Sequence, residues 1–183
     1  AQHYIASGFK ENRSLNSFDA ARYIASYPDL TQIFGGLNPN LSGGSQHYVE
    51  FGLEEQRPTD SFQPSQYIAS YDDLINAFGY EPEEGTLHYL RHGFGENRQV
   101  DLFKPDIYIA SYSDLITSLG YDLEAGDRHY IQVGSKTGLG RGNFDPVAYL
   151  DNYADLQQAF GSDYTAATRH YIQSGFAEGR VWS

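Results

Sequence analysis

The chain has 183 residues and a net charge of −12, with 24 Asp and Glu against 12 Lys and Arg. An acidic surface without a basic stripe repels phosphate backbones and disfavours nucleic-acid binding. The absence of Cys removes disulfides, thiolate metal sites and cysteine nucleophiles, and no apolar run has the length of a membrane span or a signal peptide.

The aromatic content is unusual, with 16 Tyr and 11 Phe against one Trp and no Met. Tyrosine buries a large ring but keeps a hydroxyl that needs a partner, which suits thin cores with one wet edge.

In chain order, residues 1–15 hold the end of a unit without its beginning: His3, Tyr4, Gly8, Phe9, Glu11 and Arg13. The chain starts on Ala1 inside this pattern, so it reads as an excised or processed piece. Fuller units follow at 16–59, 60–100, 101–141 and 142–183. Their shared block runs Tyr23-Ile-Ala-Ser-Tyr-Pro-Asp-Leu30, Tyr67-Ile-Ala-Ser-Tyr-Asp-Asp-Leu74, Tyr108-Ile-Ala-Ser-Tyr-Ser-Asp-Leu115 and, worn, Tyr149-Leu-Asp-Asn-Tyr-Ala-Asp-Leu156. A second block, His-Tyr before a Gly, places His3, His47, His88, His129 and His170 at steps of 44, 41, 41 and 41 residues. The longer first step falls in the Gly/Asn/Ser stretch Gly35 to Gln46.

Each unit predicts three short helices. The first follows Phe18, Phe62, Phe103 or Phe144, with Pro64, Pro105 or Pro146 (Ala20 in the first copy) at the start, where a missing N–H costs nothing. Ala20, Tyr23, Ile24 and Tyr27 form its apolar stripe. The second carries a Ser-x-x-Asp start signal at Ser26/Asp29, Ser70/Asp73, Ser111/Asp114 and Asn152/Asp155, and Gly35, Gly79, Gly120 and Gly161 are expected to end it with positive φ. The third holds the His-Tyr pair and is expected to stop at Gly52, Gly93, Gly134 and Gly175, with Leu53, Phe94 and Phe176 landing on the Tyr one turn back. Helices this short do not persist alone and need packing against neighbouring units, the energetics of a solenoid. The expected fold is therefore all-α: tandem repeats of about 41 residues built from short helices, as a solenoid-like or compact repeat array.

The consensus Phe-Asp-Pro-x-x-Tyr-(Ile/Leu)-x-x-Tyr-x-Asp-Leu…Gly…His-Tyr-x-x-x-Gly-Phe-x-Glu-Gly-Arg resembles a tandem repeat of bacterial proteins of the form FDxxYYLxxNPDV…HYxxxGxxEGR. Phe144 to Arg180 matches best, with Phe18 to Arg57 and Phe62 to Arg98 close behind. Such repeats occur in large secreted proteins, some with calcium-binding nonapeptides, and beside some glycosyltransferase domains. The resemblance implies an extracellular or cell-surface setting and carries no activity to any residue.

Residues with chemistry recur in step with the repeat, which is not how a single active site is built. The histidines are expected to be half-buried, each tying its ring to a backbone carbonyl, because a ladder of roughly 10 Å spacing cannot converge on a metal. The repeated Asp residues read as helix caps, leaving weak calcium binding open at acidic loops such as Glu81 to Glu84. The Glu-x-Arg elements Glu55/Arg57, Glu96/Arg98 and Glu178/Arg180 are expected to cap carbonyls or bridge repeats, and the third unit departs there as Ser135-Lys-Thr-Gly-Leu-Gly-Arg141. That stretch lacks phosphate-loop spacing. Tyr80, Tyr121 and Tyr164 lie outside the apolar stripes and are the candidate binding residues. No catalytic residue and no metal ligand is expected. The expected function is a non-catalytic structural, adhesive or protein-interaction module, engaging a protein partner or its own copies. The alternative is a carbohydrate or small-molecule binding module, with calcium in an assisting role.

Overall fold

A computed structural model of the protein describes residues 18–183. The expectations for His3, Gly8, Phe9, Glu11, Arg13 and the half-unit 1–15 lie outside the described residues. Within them the chain is all-helical: α1 (Ala20–Ala25), α2 (Pro28–Phe34), α3 (Leu41–His47), α4 (Pro64–Ala69), α5 (Asp72–Phe78), α6 (Pro82–His88), α7 (Pro105–Ala110), α8 (Ser113–Leu119), α9 (Leu123–His129), α10 (Ser135–Thr137), α11 (Pro146–Asp151), α12 (Ala154–Phe160) and α13 (Tyr164–His170). The helices α3, α6, α9 and α13 each run on into a π-helical turn, Tyr48–Gly52, Tyr89–Gly93, Tyr130–Gly134 and Tyr171–Gly175. None of the described helices is long and apolar enough to cross a membrane.

The described residues divide into two compact units, 18–62 with Thr86–Arg98, and Gln63–Gly85 with Gln99–Ser183. In the first, α1 packs on α2, on α3 and on the π turn Tyr89–Gly93. In the second, α4 packs on α9 and on the turn Tyr130–Gly134, while α7 packs on α9, α13 and the turn Tyr171–Gly175. The same rule governs both: α1, α4 and α7 each meet the His-Tyr segment of the following sequence block. The fully buried side chains include the first tyrosine of each block and the Ile beside it, Tyr23 and Ile24 in one unit, Tyr67, Ile68, Tyr108, Ile109 and Tyr149 in the other.

Local chemistry explains the starts. Pro64, Pro105 and Pro146 occupy the first turn of α4, α7 and α11, where fixed φ favours the helix. Asn40, Asp122 and Asp163 cap α3, α9 and α13, accepting the N–H of Gly43, Ala125 and Ala166 at 2.9–3.0 Å.

The Ser-x-x-Asp boxes do something else. The N-caps of α2, α5, α8 and α12 are Tyr27, Tyr71, Tyr112 and Tyr153, with no side-chain cap. Ser26 instead ends α1: its hydroxyl donates to the Arg22 carbonyl (2.8 Å) and accepts the Phe62 N–H (2.9 Å). Ser70 and Ser111 bracket Phe103 and Phe144 in the same way, at 3.0 and 2.9 Å. Each of these Phe rings stacks on the Tyr of its own His-Tyr pair, Phe62 on Tyr89, Phe103 on Tyr130 and Phe144 on Tyr171, at 4.7–4.9 Å. The serine thus latches one sequence block to the next, because a helix-ending hydroxyl can both donate backward and accept forward.

The glycine expectations hold in part. Gly79, Gly120 and Gly161 do have φ near 58°, but Gly35 is extended and its neighbour Gly36 takes φ of 96°. The third helix ends as expected at Gly52, Gly93 and Gly175, whereas at Gly134 it runs on into α10. The positive φ falls not on these glycines but four residues on, at Gln56, Asn97, Gly138 and Gly179. There the Arg57 N–H reaches the Gly52 carbonyl, Arg98 reaches Gly93 and Arg180 reaches Gly175, all at 2.9 Å, the long-range bond of a Schellman cap. The expected aromatic contact does form, edge to face, between Tyr89 and Phe94 and between Tyr171 and Phe176.

Gly52 is needed for space. A Cβ there would meet the Tyr23 hydroxyl at 2.5 Å, and Gly134 and Gly175 stand in the same contact with Tyr108 and Tyr149. Gly52→Ala is therefore expected to lower stability by about 1–3 kcal/mol in urea denaturation, with part recovered in the Gly52→Ala/Tyr23→Phe double variant. Equal midpoints for wild type and Gly52→Ala would contradict the packing argument.

Candidate functional site

His47, His129 and His170 bond to buried tyrosines, where the sequence predicts backbone carbonyls. The Tyr23 hydroxyl lies 3.1 Å from His47 Nδ1, Tyr108 2.9 Å from His129 Nδ1 and Tyr149 2.8 Å from His170 Nδ1. The tautomer sets which group donates. Burial raises the Tyr108 phenol and pushes Tyr149 up to about 12 despite the opposing charge of Arg180, so both stay neutral and keep their hydrogen bond at physiological pH.

The arginines close on their own segment. Arg57 pairs with Glu55 (2.5 Å) and Asp29 (3.0 Å) and lies 4.8 Å over the Tyr27 ring. Arg180 pairs with Glu178 (2.7 Å) and Asp155 (2.9 Å), 4.7 Å over Tyr153. Burial alone would raise Asp29, but the hydrogen bond and charge of Arg57 outweigh it and hold this carboxyl below its usual range. In the departing third unit, Arg141 pairs instead with Asp72 at 2.6 Å and closes a cleft of about 340 Å³ beside Ser135 and Lys136. The recurring Tyr, His, Asp and Arg side chains in these clusters are thus occupied in holding the chain together.

One chemical group in the second compact unit is not. In the sequence blocks, Ser45, Thr86, Asp127 and Thr168 all stand two residues before the recurring His. Ser45 and Thr168 satisfy themselves by donating to the carbonyls of Leu41 and Tyr164, at 3.0 and 2.8 Å. A carboxyl group there, unlike a hydroxyl, loses its proton to donate once it ionises, and brings a second oxygen that needs a partner. Asp127 is 3% exposed and its Oδ1 has no hydrogen-bond partner. It lines a cleft of about 410 Å³ with Gln63 and Gln66 at α4, Pro105 and Asp106 of α7, Tyr121, Leu123 and Glu124 leading into α9, and Thr165 of α13. Glu124 accepts hydrogen bonds from Ser65 Oγ (2.8 Å) and from the Tyr80 hydroxyl. Burial, with the charge of Glu124 adding to it, pushes the Asp127 carboxyl up to about 8.

Two of the three candidate tyrosines meet here. Tyr121 lines the cleft, with the Arg169 guanidinium 5.0 Å over its ring; Tyr80 orients Glu124, with Arg128 at 5.4 Å. Tyr164 is 47% exposed and lines a shallower depression of about 220 Å³ that shares Asp106 and Thr165 with the cleft. Sequence reasoning missed Asp127, Glu124 and Asp106. The available signal was the single carboxylate in a column of hydroxyls. Glu83 and Glu84, from the acidic loop, sit in the first turn of α6. Among the described residues no three His, Asp or Glu side chains are placed to hold one metal ion. Neither a protein-family model, nor a curated protein, nor a solved structure matches the chain.

The buried carboxyl ties stability to pH. The unfolded chain releases this proton near the ordinary value of 3.8 and the folded protein near 8. Stability therefore falls as pH rises through that window and levels off above it. Asp127→Thr should flatten the slope and raise stability at pH 8 by on the order of 1–3 kcal/mol. Chemical denaturation at pH 5, 6.5 and 8 measures this; parallel slopes for both proteins would refute it.

Proposed function

We propose that this chain is a non-catalytic structural, adhesive or protein-interaction module, an array of repeats of about 41 residues from a bacterial extracellular or surface protein. The repeat boundaries are those of 16–59, 60–100, 101–141 and 142–183, with the half-unit 1–15 before them. The resemblance of the consensus to the bacterial secreted-protein repeat supports the setting. The packing of α1, α4 and α7 on the His-Tyr segment of the following block supports stacking, since short helices gain stability only from neighbours.

The observation that carries an interaction role is at the first block. Leu90, Ile131 and Ile172, each just after a His-Tyr pair, are 2%, 1% and 5% exposed, on turns covered by α1, α4 and α7. Val49, at the corresponding position, is 69% exposed, beside the exposed Phe51 and Leu53. An apolar edge of this kind is completed by a helix of the same type, from a partner or from another copy. In the last sequence block Asp151 replaces the buried Ala25, Ala69 and Ala110 and is exposed, a polar surface that does not invite association. Analytical ultracentrifugation should show concentration-dependent association of the wild type that Val49→Asp removes. A monomer at every concentration, unchanged by Val49→Asp, would remove the support for self-association.

A second reading, a carbohydrate or small-molecule binding module with calcium in an assisting role, is favoured by the Asp127 cleft. Its size falls within the range of small-ligand sites.

A further inference from the structure

We propose that the Asp127 cleft binds a small organic cation, a primary ammonium group on a short stem, with Asp127 as its counter-ion. This rests on the small-molecule reading of the cleft and names the ligand class. A buried carboxylate oxygen without a partner is costly unless something donates to it, and at the equivalent positions Ser45 and Thr168 avoid that cost with their own hydroxyls.

The charges select the sign of the ligand. Asp106 faces the cleft from α7 and Glu124 from the first turn of α9, while α4 and its N-cap bring uncharged groups, the Gln63 and Gln66 amides and the Ser65 hydroxyl. Asp114, the one charged residue of α8, acts on Tyr108. The nearby cations Arg128 and Arg169 lie over the Tyr80 and Tyr121 rings and neither lines the cleft. The charged groups of the lining are carboxyls alone, which disfavours an anion. A bare metal ion is a poor match, because among the described residues no three ligating side chains converge and a cleft of about 410 Å³ far exceeds the oxygen cage at roughly 2.3–2.6 Å that calcium needs. An ammonium head would pair with the Asp127 carboxyl where it lines the cleft, with the Gln66 amide oxygen as a second acceptor, and its stem would lie along Pro105, Leu123 and the edge of Tyr121.

Binding requires Asp127 ionised, whereas burial keeps it protonated below about 8 in the free protein. Alkylammonium groups remain charged throughout this range. Each binding event therefore releases close to one proton, and affinity rises about tenfold per pH unit between 6 and 7.5.

The test is calorimetric titration of the full chain with n-butylammonium chloride at pH 6 and 7.5, in two buffers of different ionisation enthalpy. The same titration is run on Asp127→Thr and the near-isosteric Asp127→Asn, with circular dichroism confirming the fold of each. The expected result is saturable binding with proton release in the wild type, and at least a tenfold loss in both variants. Butylammonium binding unchanged by both substitutions, or independent of pH, overturns the proposal. Binding of glucose or of calcium chloride that depends on Asp127, without butylammonium binding, overturns the cation assignment and leaves the small-molecule reading standing. No binding of butylammonium, glucose or calcium overturns both.

Discussion

The buried tyrosine hydroxyl on a histidine Nδ1 is the contact on which the remaining structure depends. A phenol inside a thin core needs one good partner. The imidazole from the third helix of the same block supplies it for Tyr23, Tyr108 and Tyr149. The glycine five residues beyond that histidine, in the π turn, opens the space the hydroxyl fills. Three constraints thus meet at one oxygen: ring burial, hydrogen bonding and backbone approach. The first helix and the third are fixed against each other by it, and the helices of six or seven residues have no such order on their own.

Around that contact the polar residues do several jobs each. The helix-ending serine donates backward within its own helix and accepts the N–H of the next block's phenylalanine, whose ring lies on the tyrosine beside the histidine. The second tyrosine meets the first edge-on and sits under an arginine held by two carboxylates. These exposed ion pairs are individually weak, but the planar guanidinium on a ring fixes where the chain leaves the Schellman cap. Repeating one set of contacts makes each residue's role legible by comparison among blocks, and makes a departure stand out.

Asp127 is such a departure. Placing a carboxyl group where hydroxyls satisfy themselves costs folding stability, leaves one buried oxygen without a partner and puts the residue in the lining of a cleft with Tyr121, Glu124 and Asp106. Local conflict with an otherwise consistent pattern is characteristic of functional positions. The Val49 edge is a departure of a different kind, an apolar residue left in water where Leu90, Ile131 and Ile172 are covered.

Periodicity and residue type alone determined that the chain is all-helical, that Pro64, Pro105 and Pro146 open helices, and that the recurring histidines are half-buried. Those features follow from local steric rules and from the spacing of large apolar side chains. Tyr80 and Tyr121 were legible as candidates because they fall outside the apolar stripes. Only the tertiary structure decided which partner each polar group takes, since hydrogen bonds link residues far apart in sequence. Ser26 reaches Phe62, His47 reaches Tyr23, and Tyr80 and Ser65 converge on Glu124. A helix-start signature and a helix-ending latch share the same Ser-x-x-Asp letters, and a cap glycine looks like a space-making one. The choice between them rests on what packs against the residue, and that is set by the three-dimensional neighbours.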